Sequence, residues 1–468
     1  MQYRGYTTQD LMDWDKRIQD KAGEFGLSWY GLEFMLIDAN EMVGYESYAG
    51  MTSRYPHWSF GKAYERTKTL YDHDLTGLAY EMVIHANPAL AYLSKDNTKL
   101  LQILTMAHVY GHVDFFKNNK GFQSCPLRPE HTIEKFKTHA KRIREYIKDP
   151  SIGAGLVEMV LDAAHALALN CNRNFSIKKL TEEEQQEKAI EDALPEVDPF
   201  RKIHRRPEPK EAVLHKLPIE PEEDILLFIA EHNPFLDDWV RDILNIVDEE
   251  IKYFIPMIDT KVMNEGWASY WHHRILTELD LPDELKIEFA VNHSQVCSPR
   301  KGSLNPYHIG LTMWQDIVKR FGIEEAFAAR ESERDSSFIR RFMTKDLIRE
   351  LKLVEYAPDD DQYVITKVAD REDKKWKSIR DTYATNVGMG SVPVIKIIDS
   401  GFGKDQVLLL QHEHDGRDLY IEYLDATVRY VTVLWGREVR LLTRLDGREV
   451  MARCINPNDA VEYLTPMK

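Results

Sequence analysis

One segment limits the fold more than any other: KLLQILTMAHVYGHVDFFKNN, residues 99–119. Its spacing predicts a helix over 98–118, and its apolar residues fall on nearly every side of that helix. A helix that is apolar all round is buried on all sides. The chain must therefore surround this helix with other elements, which requires a layered, largely helical core. Inside the segment lie His108 and His112, one turn apart on one face, with Cβ atoms about 6 Å apart. Buried imidazoles need partners. A divalent cation shared by the two rings is the chemistry that this spacing suits. Two satisfied structural histidines are the plain alternative.

The rest of the chain supplies candidate surroundings. Leu11, Trp14, Ile18 and Ala22 recur at helical spacing, with Thr8 as N-cap, so 8–26 reads as an amphipathic helix. Trp29 to Phe60, which contains RYPHWSFGK (Arg54–Lys62), reads as irregular packed backbone. Helices are predicted over 74–95, interrupted by Pro88, and over 128–148 and 151–170. Helical patterning returns at 224–254, 260–279, 283–292 and 310–354. From about 356 the period changes. VPVIKII (392–398) and QVLLLQHE (406–413) read as strands, 422–436 as a helix, and 438–454 as a hairpin around Asp446-Gly447. The fold class is mainly α with a C-terminal α+β module. The corresponding division is a helical core in two parts, 1–177 and 224–355, a charged Pro-containing insert at 178–223 with a short helix at 181–193, and a small domain at 356–468.

Composition narrows the function classes. Lys plus Arg number 61 against 77 Asp plus Glu, a formal charge of −16. Such a surface repels phosphate backbones, so no nucleic-acid partner is expected. The basic run Arg201–Lys210 reads as a solvated linker face. The four cysteines, Cys125, Cys171, Cys297 and Cys454, form no CxxC pair, so a thiolate zinc site and a disulfide framework are not indicated, and a reducing compartment fits. The charged N-terminus is unlike a signal peptide. No stretch approaches 18 uncharged apolar residues, so no membrane span is expected.

A second motif, MNEGWASYWHH (Met263–His273), resembles the helix that supplies the third ligand, a glutamate, in gluzincin aminopeptidases. The resemblance implies that Glu265 completes a metal centre with His108 and His112, in a helical zincin-like core. The chain departs from that pattern. Gluzincins place the general base directly after the first histidine, where this chain has Val109; the inverted motif would need Glu at 111, where it has Gly111. A proton carrier must come from another segment. Glu81 is the candidate, expected on a helix just before the histidine helix, with His85 one turn further on; a core Glu bound to an Arg or an amide is the alternative. His272, two turns after Glu265, is a candidate further ligand or polar wall, and His273 is expected to point elsewhere. Asp114 is expected to face away from the pair, solvated or in an outer role. His139, Glu158 and His293 are accessory candidates. Arg54, His57 and Trp58 are candidates for a pocket wall, with aromatic packing around an Arg as the plain reading.

The strings SRYPHWSFGKAYERTK, YEMVIHANPALAYL, MAHVYGHVDFFKNN, MNEGWASYWHH and NPYHIGLTMWQDI together resemble the SpoVR family, from about residue 5 to the C-terminus. The resemblance implies a role in spore formation, when cortex peptidoglycan is laid down, in the mother-cell cytoplasm. Relatives in non-sporulating bacteria are often encoded beside a AAA+-type serine protein kinase and a von Willebrand A-domain protein, so the resemblance also points to a stress-linked partnership with such proteins. It brings no established catalytic residues. The reading from residues is a metal-dependent hydrolase, zinc first and iron second, acting on an amide bond of a peptide or peptidoglycan precursor. A non-catalytic scaffold with a structural metal or buried polar site is the alternative. An oxidative di-metal centre, with Glu81 and Glu158 adding ligands, is the third reading.

Overall fold

A computed structural model describes residues 5–72, 81–193, 216–299, 304–359, 362–368, 375–401 and 405–465. Arg201–Lys210 lies outside them. The chain is mainly helical, with an α+β module at its C-terminal end. It divides into two compact units: 1–144 with 252–391, and 145–251 with 392–468.

In the first unit, the histidine helix (Lys99–Asn118) begins at Thr98, whose Oγ1 accepts from Leu101 N at 3.2 Å. Every residue from Gln102 to Phe116 is buried along it, as an all-round apolar helix requires. The amphipathic helix Thr8–Glu24 covers one side through Leu11, Trp14, Ile18 and Ala22. The glutamate helix (Lys261–Glu278) covers another, and a third helix, Pro306–Phe321, packs behind it.

The remaining side is closed by a three-stranded sheet. It comprises β1 (Leu32–Ile37), β2 (Glu81–Ile84) and β3 (Ala89–Ser94), in the order β1-β3-β2. β1 runs parallel to β3, with Leu32 opposite Ala89, and β2 runs antiparallel to it, with Glu81 opposite Leu93. Ala89 and Ala91 pack on Val109 and Val113 of the histidine helix. This sheet corrects two expectations. The described part of 74–95 is two strands, not a helix. The stretch from Trp29 holds β1, the helix Ala39–Ser47 and the start of the helix Trp58–Asp72.

The 310–354 region is four separate helices, Pro306–Phe321, Ile323–Ser332, Asp335–Phe342 and Lys345–Glu350. They lead into the hairpin of β4 (Val354–Asp359) and β5 (Gln362–Val368).

The second unit holds Gly153–Leu167, Glu182–Ala193, Ile225–His232 and a five-stranded sheet. That sheet comprises β6 (Ile395–Asp399), β7 (Leu408–His412), β8 (Val439–Leu445), β9 (Arg448–Cys454) and β10 (Glu462–Leu464), in the order β10-β9-β8-β7-β6. The helix Ile421–Trp435 makes the crossover between the parallel strands β7 and β8. Asp446 (φ 50°) and Gly447 (φ 73°) turn β8 into β9, the left-handed pair that a two-residue hairpin needs. No helix among the described residues is long and apolar enough to cross a membrane.

Candidate metal centre

Three elements of the first unit bring the site together. The histidine helix supplies His108 and His112. The glutamate helix supplies Glu265, whose Oε2 lies 3.6 Å from His108 Nε2 and 3.5 Å from His112 Nε2. β2 supplies Glu81, whose Oε1 lies 3.9 Å from His108 Nε2. The ligand-type atoms of Glu81, His108 and His112 all fall within 4.8 Å of one another. Glu81 thus arrives on a strand, not on a helix. Strand alternation sends Glu81 and Val83 to the histidine-helix face, and Met82 and Ile84 to the opposite core.

The glutamate helix also positions both imidazoles from outside. His112 Nδ1 lies 2.9 Å from Asn264 Oδ1, and His108 Nδ1 lies 2.9 Å from His272 Nδ1. A carbonyl oxygen only accepts, so His112 carries its proton on Nδ1. Its Nε2 lone pair then faces the Glu265 carboxylate. Burial, reinforced by neighbouring His108, pulls the His112 pKa down to about 4, so the ring is neutral at pH 7. Burial raises the Glu265 pKa, but His108, His112 and a hydrogen bond from Tyr307 outweigh it and the net shift is downward. Two acceptors, His112 Nε2 and Glu265 Oε2, therefore face each other at 3.5 Å. His108 Nε2 and Glu265 Oε2 are both buried without a hydrogen-bond partner, an arrangement that costs free energy unless a cation or a proton on His108 Nε2 satisfies it.

The donor set fits a divalent ion. Donors about 2.0–2.2 Å from a tetrahedral zinc stand about 3.3–3.6 Å from each other, and both Glu265–histidine separations are of that size. Glu81 stands further out. Burial, then the Glu265 charge, raises its pKa to about 6 against the pull of His108, which suits a proton carrier working near neutrality.

The other candidates separate clearly. His272 lies outside the Glu265 cluster and is the hydrogen-bond partner of His108. His293 reaches the site only through His272, whose Nε2 lies 2.8 Å from His293 Nδ1. His273 stands beside His293, with ring centroids 4.7 Å apart. His85 is buried among Tyr30, Phe116, Phe122 and Tyr253. A strand carries residue i+4 about 13 Å away, so the one-turn pairing with Glu81 fails. Asp114 does face away from the pair, but it is not solvated. It is fully buried and accepts from Arg330 Nη1 (2.7 Å), Trp267 Nε1 (2.8 Å) and Ser28 N (2.8 Å). His139 is buried beside Phe136. Glu158 is exposed in the second unit. The Arg54 guanidinium sits among Tyr55, Phe60, Phe136 and Phe254 at 4.9–5.7 Å. His57 Nδ1 bonds Ser59 at the start of its helix, and Trp58 is exposed.

Sequence reasoning missed three contributors. Asn264 stood beside Glu265 in the quoted motif. Tyr307, in NPYHIG, stacks on His108 with centroids 6.0 Å apart. Asp335 accepts from Val262 N (2.8 Å) and Met263 N (2.9 Å), capping the glutamate helix where Thr260 makes no side-chain cap. Only the first carried a local signal.

Fold and site define a helical protein with a two-histidine, two-carboxylate cluster at its core. The chain belongs to the SpoVR family: the model described as SpoVR like protein matches residues 5–392, and that of the SpoVR-like C-terminal domain matches 393–446. It is also similar to the uncharacterized protein YcgB of Escherichia coli strain K12, 32% identical over 494 residues that cover 96% of this chain and 95% of that protein. No solved structure matches.

Proposed function

We propose that this SpoVR-family chain is a sporulation protein with a metal-dependent hydrolase centre that acts on an amide bond in a peptide or peptidoglycan precursor during cortex formation. One observation carries the chemistry: the Nε2 atoms of His108 and His112 both lie 3.5–3.6 Å from the buried Glu265 Oε2, and His108 Nε2 and Glu265 Oε2 have no hydrogen-bond partner. His108, His112 and Glu265 would hold the cation, zinc first and iron second. When bound, such an ion supplies Lewis acidity and lowers the pKa of a coordinated water to near 7. Glu81 takes and returns the proton. Its distance, greater than that of Glu265, leaves room for a water between carboxylate and cation.

Metal analysis of the purified protein tests this, together with three variants. His108→Ala and Glu265→Ala should lose bound metal. Glu81→Gln should keep the metal and abolish sporulation function. A Glu81→Gln strain that forms cortex normally removes Glu81 as the proton carrier.

A second reading rests on Glu81 falling in the same 4.8 Å group as the histidines. With Glu81 as a fourth ligand, a tetrahedral zinc would have no open position, and the site would be structural. Glu81→Gln would then weaken metal binding.

A further inference from the structure

His108, His272 and His293 form an unbroken imidazole chain, with links of 2.9 Å (Nδ1 to Nδ1) and 2.8 Å (Nε2 to Nδ1). We propose that His272 and His293 are positioning residues of the metal centre, and that the direction of this chain, set at His293, decides whether His108 offers the cation a lone pair or a proton. The proposal rests on the reading of His108 as a ligand.

The argument is a count of protons. A neutral imidazole carries one N–H, and each link needs one. Two directions satisfy both links with the same heavy-atom positions. In the outward direction, His108 Nδ1–H donates to His272 Nδ1 and His272 Nε2–H donates to His293 Nδ1. His108 Nε2 is then a bare lone pair beside Glu265. In the inward direction, His293 Nδ1–H donates to His272 Nε2 and His272 Nδ1–H donates to His108 Nδ1. The His108 proton is then on Nε2, where a cation must bind. His112 has no such freedom, because Asn264 Oδ1 can only accept. The centre thus has one fixed and one reversible histidine.

The far end of the chain lies on another element. His272 is 2% exposed, whereas His293 is half-buried on the helix Asp283–Val296. His293 Nδ1 has Cys297 Sγ at 3.9 Å, and its ring packs on His273 and Phe289. A change at this accessible residue alters the polarity of a ligand two links away without touching the ligand.

The test compares His293→Glu, which only accepts, with His293→Lys, which only donates. His273→Glu and His273→Lys bring the same charges to the neighbouring position outside the chain. Co2+ affinity is measured by titrating metal-free protein, and the His108 tautomer by 15N NMR of that metal-free protein. The expected result is a 10–100-fold gap in Co2+ Kd between the two 293 variants, the usual size for losing an outer partner of a ligand. The His108 proton should lie on Nδ1 in the Glu variant and on Nε2 in the Lys variant. The 273 pair should differ far less, with the tautomer unmoved. His272→Gln, which keeps an acceptor and a donor, should retain Co2+ binding within a few-fold. Equal gaps at 273 and 293, or one His108 tautomer in both 293 variants, overturn the chain. Wild-type protein that takes up no Co2+ overturns the ligand reading itself, whatever the tautomer does.

Discussion

Asn264 and Glu265 are neighbours on one helix and meet His112 from opposite ends, Asn264 at Nδ1 and Glu265 at Nε2. Replacing Asn264 with Leu keeps the volume and removes the acceptor. The ring can then turn or shift its proton, and zinc affinity should fall about 10–100-fold, read by competition with a chelating dye. An unchanged affinity would show that packing alone orients His112. Asp114 and Arg330 make the corresponding argument for stability. Their ion pair is almost wholly buried, at 2.7 Å. Arg330→Met leaves a buried carboxylate with only Trp267, Ser28 and Asn118 as partners, so urea melts should show a loss of about 3–5 kcal/mol. At this scale the sequence was informative where chemistry and spacing coincide, as at His108, His112 and Glu265. It was silent where partners come from afar: nothing near Asp114 announces Arg330, and nothing near Glu265 announces Tyr307.

Between elements, the site depends on how closely helices approach. A Cβ on Gly111 would lie 2.6 Å from Ala268 Cα, and one on Gly310 would lie 2.1 Å from Val262 O. Position 111 therefore faces the glutamate helix, which leaves no room for the inverted arrangement of the base, and Val109, where the ordinary arrangement would put it, packs on Ala89 and Ala91 of the sheet. Gly→Ala in an isolated helix gains up to about 1 kcal/mol; overpacking a tight contact costs about 1–3 kcal/mol. The clash should win, so Gly111→Ala is expected to lower the melting temperature and to weaken metal binding by pushing Glu265 from the histidines. A melting temperature at or above wild type would mean that the helices part easily. The same scale explains the misread strands. EMVI and ALAYLS are short apolar runs, and periodicity cannot separate a buried strand from a helix over that length. Their sheet is completed by β1, far back in the chain with Leu32 opposite Ala89, which no local pattern reveals. The hairpin at Asp446-Gly447 was legible because its turn chemistry is local.

For the molecule as a whole, the buried histidines decide how stability depends on acidity. His85 is 1% exposed, and burial lowers its pKa from 6.5 to about 4. In the unfolded chain it takes up a proton below about pH 6.5; in the folded protein it does so only below about 4. The unfolded state therefore binds more protons in that window, and its population rises as pH falls. The contribution is complete above pH 6.5 and lost by pH 4, and a shift of this size is worth about 3 kcal/mol. Asp335 acts in the opposite sense. Burial raises its carboxyl to about 8, so its share of stability is present below the ordinary carboxylate range and fades as pH rises through 8. Comparing His85→Phe with wild type cancels the Asp335 contribution common to both. Phe keeps an aromatic ring among Tyr30, Phe116, Phe122 and Tyr253 and removes the titration. The urea midpoint of the variant should fall less steeply than that of wild type between pH 6.5 and 4, and the two curves should run parallel above pH 7. Curves that stay parallel down to pH 4 would mean that His85 charges without unfolding the protein, and the acid sensitivity would then belong to the histidines of the metal centre.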